Sequence, residues 1–139
     1  MIIIISSAGV QEIELEIGTN NSVFVAYKDL GNSNKITVKK NSSGAWETLG
    51  TEGFSDFAIN KVSLTLNNQN VPYVAYIQTD RKPIISKFDG SNWTSLGEII
   101  LENGATPINN VVVELRMVFG SNNSLFIIMN SGIIAKYLN

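Results

Sequence analysis

The chain contains nearly the same stretch of sequence twice. Residues 22–50, SVFVAYKDLGNSNKITVKKNSSGAWETLG, return as residues 71–97, VPYVAYIQTDRKPIISKFDGSNWTSLG. A third copy begins at residue 124 as SLFIIMNSGIIAKYLN, and it contains no tryptophan. A period of 47 to 53 residues, depending on the pair compared, is typical of folds that stack one supersecondary unit on the next. The repeat therefore constrains the fold more than any other feature of the sequence.

Each copy predicts short β-strands, here called a to d. Strand a is indicated by apolar residues at alternate positions in IELEI, VSLTL and VELRM, with Ile13, Val62 and Val113 aligned. Strand b is a short apolar run, VFVAY, PYVAY or LFIIM, as expected for a strand covered on both faces.

The second half of each copy continues the pattern. Strand c reads ITVKK, IISKF and IIAKY, and this alignment places Lys39, Lys87 and Lys136 in register. Strand d, AWETLG or NWTSLG, aligns through Trp46 and Trp93 and is absent from the third copy. The connections are rich in Asn, Asp, Gly and Ser, which favour tight turns, and no long stretch has a helical period.

Four-stranded antiparallel units with this period predict an all-β fold made of β-propeller blades. The pattern PYVAY followed by FDGSNWTSLG also resembles the repeats of bacterial β-propeller proteins, over about residues 11–139. The resemblance implies the blade architecture and says little about activity.

The unfinished third copy predicts an assembly of two chains. The apolar run at residues 1–7 is expected to supply strand d to a partner's last blade, with blade one at 11–50, blade two at 60–97 and an incomplete blade three at 109–139. Two chains would then form a six-bladed ring, inside the usual range of about four to eight blades, whereas three chains would give nine. Two alternatives remain open: a piece of a longer propeller, or a smaller sandwich with residues 2–6 as a fifth strand.

The composition excludes several classes of function. The chain has no histidine and no cysteine, which excludes Ser-His-Asp and Cys-His nucleophiles and thiolate or imidazole zinc sites. Its ten Lys and Arg residues are scattered and the net charge is −2, so no nucleic-acid partner is expected. We expect no cofactor, no metal and no membrane insertion. The first residues lack a basic segment typical of a signal peptide, which favours a soluble protein that is cytoplasmic or released.

The candidate ligand-binding residues are aromatic or cationic. Tryptophan and tyrosine rings stack on sugars, but at matching repeat positions they more often pack between blades. Arg81 stands in the most charged loop, and Arg116 follows an acid with which it can pair. The full set is Trp46, Trp93, Tyr27, Tyr76, Arg81 and Arg116.

The sequence favours a non-enzymatic binding protein with a carbohydrate ligand, because grooves between blades rich in aromatic and amide groups suit sugars. The alternative is a structural or protein-interaction scaffold assembled as an oligomeric propeller. A hydrolase using paired acids such as Glu14 and Glu114 is a third hypothesis. The more ordinary interpretation of those acids is the solvated wall of the propeller channel.

Overall fold

The computed structural model describes residues 4–79, 83–98, 114–129 and 133–137. Eleven strands and one short 3-10 turn, Leu30–Asn32, lie in these ranges. The strands are β1 Val10–Ile17, β2 Val23–Asp29, β3 Lys35–Asn41, β4 Trp46–Thr48, β5 Ile59–Leu66, β6 Pro72–Gln78, β7 Pro83–Phe88, β8 Trp93–Glu98, β9 Leu115–Phe119, β10 Leu125–Met129 and β11 Ile133–Tyr137.

The strands form three antiparallel sheets in which chain neighbours pair: β1 to β4, β5 to β8, and β9 to β11. The first strands of the sheets lie side by side, with β5 between β1 and β9. Up-and-down sheets whose first strands are neighbours are consecutive blades of a β-propeller. The predicted all-β propeller fold is therefore confirmed, and the sheets are called blades one, two and three below.

Two apolar clusters of buried side chains lie between neighbouring blades and hold them together. The cluster between blades one and two contains Phe24, Ala26, Ile36, Val38, Leu49, Ile59, Val62, Leu64, Val74 and Tyr76. The cluster between blades two and three contains Tyr73, Ala75, Ile77, Ile85, Leu115, Met117, Leu125, Ile127 and Met129. Blade two thus uses alternate residues of β6 for its two neighbours.

The backbone pairing corrects two details of the sequence alignment. Val62 lies opposite Tyr76, and its counterpart opposite Met129 is Leu115, so strand a of the third copy begins two residues later than predicted. In strand c, the residue opposite Phe24 is Lys40, and the one opposite Tyr73 is Lys87. Lys40 rather than Lys39 is therefore the structural equivalent of Lys87. Adjacent lysines in KK made the two registers indistinguishable in sequence.

The predicted N-terminal strand lies partly outside the described residues. Residues 4–9 precede β1 without forming a strand in the single chain. The exchange of residues 1–7 with a partner, and the six-bladed ring that it would complete, stay predictions. Within the described ranges, no helix is long and apolar enough to span a membrane.

Candidate functional site

Trp93 packs between blades one and two. Its ring stacks on Phe54 with centroids 4.8 Å apart and planes within 6°. Its indole N–H donates a hydrogen bond of 2.8 Å to the carbonyl oxygen of Leu49 in the preceding blade. These contacts fit the packing interpretation of the repeated tryptophan, and direct ligand binding by Trp93 stays a prediction.

The two strand-b tyrosines are buried. Tyr27 donates a 3.4 Å hydrogen bond to the carbonyl oxygen of Ile5, and the Tyr76 hydroxyl lies 3.2 Å from that of Ser86. Burial is the main cause that raises the pKa of both phenols, so each stays protonated at neutral pH.

The remaining candidates are dispersed. Trp46 is half-buried in β4 opposite Asn41, and Arg116 is exposed on β9, where it forms an ion pair with Glu14. Arg81 lies outside the described residues. Among the residues that the structure describes, the predicted candidates therefore do not surround one cavity.

Three acids at the first strands of blades one and three pair with cations of another blade. Lys61 pairs with Glu12 at 2.9 Å and reaches Glu114 at 3.5 Å. Partial burial, and secondarily the Glu14 carboxylate, raises the pKa of Glu16. Glu14 and Glu114 therefore both sit in ion pairs, as expected for the wall of a solvated channel.

A groove with a volume of about 370 Å³ opens between blades one and two. Its floor is apolar and its rim is polar, which is the usual chemistry of a small-molecule site. Its lining consists of Phe24, Lys40, Leu49, Asn70, Val71, Pro72, Lys87, Phe88, Asp89 and Gly90. This surface is called the inter-blade groove.

Two equivalent lysines lie on corresponding sides of blades one and two, and Lys40 lines the inter-blade groove. The Lys40 ammonium lies 5.6 Å from the ring centre of Phe24, and that of Lys87 lies 5.8 Å from the ring centre of Tyr73. Both distances are within the range of cation–π attraction, which holds each ammonium beside its strand. Phe24 faces blade two and Tyr73 faces blade three, so the Lys40 ammonium is the charged hydrogen-bond donor on the side of this groove.

The turn between β7 and β8 adds an acceptor to the rim. The Asp89 carboxylate accepts the backbone N–H groups of Ser91 at 2.8 Å and Asn92 at 2.7 Å. These bonds lower the pKa of Asp89, so the carboxylate is charged at neutral pH. Gly90 follows with φ of 105°, a conformation that favours glycine, as the Asp-Gly pair predicts.

Trp93 does not line the inter-blade groove but packs against one of its lining residues. Its ring lies 5.4 Å from that of Phe88, which lines the floor. Sequence reasoning thus found the residue that positions the groove and missed the residues that face it. The signal that was available is the lysine at the same place in each strand c, directly before an aromatic residue in IISKF and IIAKY.

The groove has donors, an acceptor and an apolar floor. Over the described part of the chain, no group of three or more Asp or Glu residues is placed to hold a metal ion. The arrangement can bind a small polar ligand by hydrogen bonds and by contact with its apolar face.

The similarity of the chain to known proteins is low. No family model and no curated protein matches the chain. One solved structure with a similar backbone is that of a fucose lectin from Kordia zhangzhouensis in complex with methyl-fucoside. It has 14% sequence identity and a TM-score of 0.48, and the alignment covers 88% of each chain.

Proposed function

We propose that the chain is a carbohydrate-binding module that holds a sugar in the inter-blade groove. The single observation that supports this proposal is the combination of Lys40 and Asp89 beside the apolar side chains of Phe24, Leu49 and Phe88. A pyranose presents hydroxyl groups at its edge and C–H groups on its face, so it needs both kinds of surface at once.

The volume of the groove fits a small ligand. About 370 Å³ is at the lower end of the range for small-molecule sites, which is roughly 300 to 1,000 Å³. The Lys40 ammonium donates to sugar hydroxyls or to a sugar carboxylate, and Asp89 accepts from a neighbouring pair of hydroxyls.

The test is glycan-array binding by the labelled chain, followed by calorimetry with the best sugar. Asp89→Asn removes the charge and retains an oxygen that can accept the turn N–H groups, so the hairpin is preserved. We expect it to weaken sugar binding about tenfold or more, as for a lost charged hydrogen bond. Lys40→Met should do the same.

The matched control is Asp56→Asn, the same substitution at an exposed carboxylate that does not line the groove. It should leave the affinity unchanged. The proposal fails if no sugar binds, or if Asp89→Asn and Asp56→Asn have the same effect.

A further inference from the structure

The turns between strands a and b are linked from blade to blade by an asparagine. In blade two, the Asn70 side chain accepts the backbone N–H of Thr19 at 2.9 Å and donates to the Thr19 hydroxyl at 2.8 Å. In blade three, the Asn123 side chain accepts the backbone N–H of Asn68 at 3.3 Å. The same contact thus recurs between both pairs of neighbouring blades.

Blade one has the asparagine of this contact without a preceding blade in the chain, and blade three has the matching turn residue without a described following blade. The counterpart of Asn70 and Asn123 in blade one is Asn21, and all three have left-handed backbone with φ of 60 to 62°. The counterpart of Thr19 and Asn68 in blade three is Ser121, which has an N–H and a hydroxyl like Thr19. Asn21 and Ser121 are both exposed, and among the described contacts neither is used between blades.

The outer face of blade one is apolar and exposed. Ile13, Leu15 and Ile17 have 55%, 58% and 63% of their surface accessible. The counterparts of Ile13 and Leu15 in blade two are Val62 and Leu64, which are buried against blade one. The residues Ile13, Leu15 and Ile17 are called the blade-one open face.

The outer face of blade three is apolar and exposed as well. Phe126 and Ile128 are the counterparts of Tyr73 and Ala75, which are buried against blade three. With Val118 they form the blade-three open face, where Val118 and Ile128 have 58% and 48% of their surface accessible. An apolar hollow of about 330 Å³ lies on this face.

We propose that the blade-one open face and Asn21 bind the blade-three open face and Ser121 of a second copy of this chain. The interface is a continuation of the two interfaces inside the chain, with the same apolar positions and the same asparagine contact. Two chains joined reciprocally give six blades, whereas each chain alone leaves both apolar faces in water. The inter-blade groove lies within one chain, so this assembly does not depend on sugar binding. The alternative function, a scaffold assembled as an oligomeric propeller, would use the same assembly.

Light scattering after size exclusion tests the proposal on the 139-residue chain. We expect twice the 15.2 kDa mass of one chain. Leu15→Glu and Ile128→Glu should each give the mass of one chain with an unchanged β-sheet circular dichroism spectrum, because both side chains are exposed. Ser91→Glu adds the same charge in an exposed turn of blade two and should still give the mass of two chains.

Mixing the two charged variants distinguishes this arrangement from a symmetric contact of one face with itself. A Leu15→Glu chain retains its blade-three open face, and an Ile128→Glu chain retains its blade-one open face. The mixture should therefore recover a two-chain species held by one intact interface. A single-chain mass for the unchanged protein, any stoichiometry other than two, or no recovery on mixing would overturn the proposal.

A milder variant tests the hydrogen bond. Asn21→Gly keeps a residue that tolerates positive φ and removes only the side chain. Its dissociation constant should rise about 30-fold, which corresponds to roughly 1 kcal/mol lost at each of the two interfaces. Asn70→Gly, the same change inside the chain, should lower unfolding stability and leave the dissociation constant unchanged. Equal dissociation constants for Asn21→Gly and the unchanged protein would contradict the asparagine contact.

Discussion

The indole N–H of Trp93 and the carbonyl oxygen of Leu49 are 2.8 Å apart across the interface between blades one and two. Trp93→Phe keeps the aromatic contact with Phe54 and removes the donor, so the carbonyl loses its partner. We expect the free energy of unfolding to fall by about 1 to 3 kcal/mol, measured by urea titration. Thr94→Val, at an exposed neighbouring position, should cost less. Equal losses for the two variants would contradict the role of this bond.

Gly50 follows Leu49 in the chain and lies against the Trp93 ring. Its φ is +74°, and an added Cβ would lie 3.1 Å from Cδ1 of Trp93. Gly50→Ala should therefore combine the cost of left-handed backbone, about 1 to 2 kcal/mol, with displacement of the indole. Gly44→Ala has a positive φ too, but its Cβ would meet nothing within 4 Å. Thermal unfolding should show a larger loss for Gly50→Ala, and the reverse order would refute the contact.

Ser63 joins blades two and three. Its buried hydroxyl accepts the backbone N–H of Met117 at 3.0 Å. Ser63→Ala should lower the free energy of unfolding by about 1 to 3 kcal/mol, because the N–H becomes buried without an acceptor. The control is Ser91→Ala in an exposed turn, which we expect to be nearly neutral. Chemical denaturation of the two variants decides the point.

Glu16 is expected to make stability depend on pH. Its pKa is raised in the folded protein, first by burial and then by Glu14, so the folded state binds the proton more tightly than the unfolded chain. Its unfavourable effect on stability is therefore absent well below the unfolded pKa of about 4.5 and appears as the pH rises through the raised value.

Glu16→Gln should increase stability at pH 7 by less than about 1 kcal/mol and reduce the change between pH 4 and 7, because the side chain is only partly buried. Unfolding curves at a series of pH values measure both effects. Glu47→Gln, an exposed acid in β4, serves as the control. A Glu16→Gln protein that is less stable at pH 7 would show that the sign is wrong.

The propeller architecture could be predicted from the repeat, because turns and apolar alternation depend on local chemistry. Asp89 and Gly90 indicated their hairpin correctly, since an Asp-Gly turn requires little beyond its own backbone. The alignment failed where local sequence is degenerate: it chose Lys39 instead of Lys40, and it placed strand a of the third copy two residues early.

Grooves between blades were expected from the sequence, but the residues that line the inter-blade groove were not predicted. Lys40 and Asp89 belong to different copies of the repeat, and nothing in either copy indicates that they line one cavity. The candidate residue Trp93 instead supports the groove through Phe88. Trp93 marks the place where blades one and two pack, and the inter-blade groove opens beside it.

The sequence by itself determined the strands, their order and the blade as the repeating unit, because these follow from alternation and turn chemistry within about 50 residues. Only the tertiary structure decided which side of each strand faces a neighbour, and so which equivalent positions are buried and which remain open. Leu15 and Leu64 occupy the same place in their copies, yet one is exposed and the other is buried. The physical reason is that burial depends on a neighbouring blade and not on the residue itself.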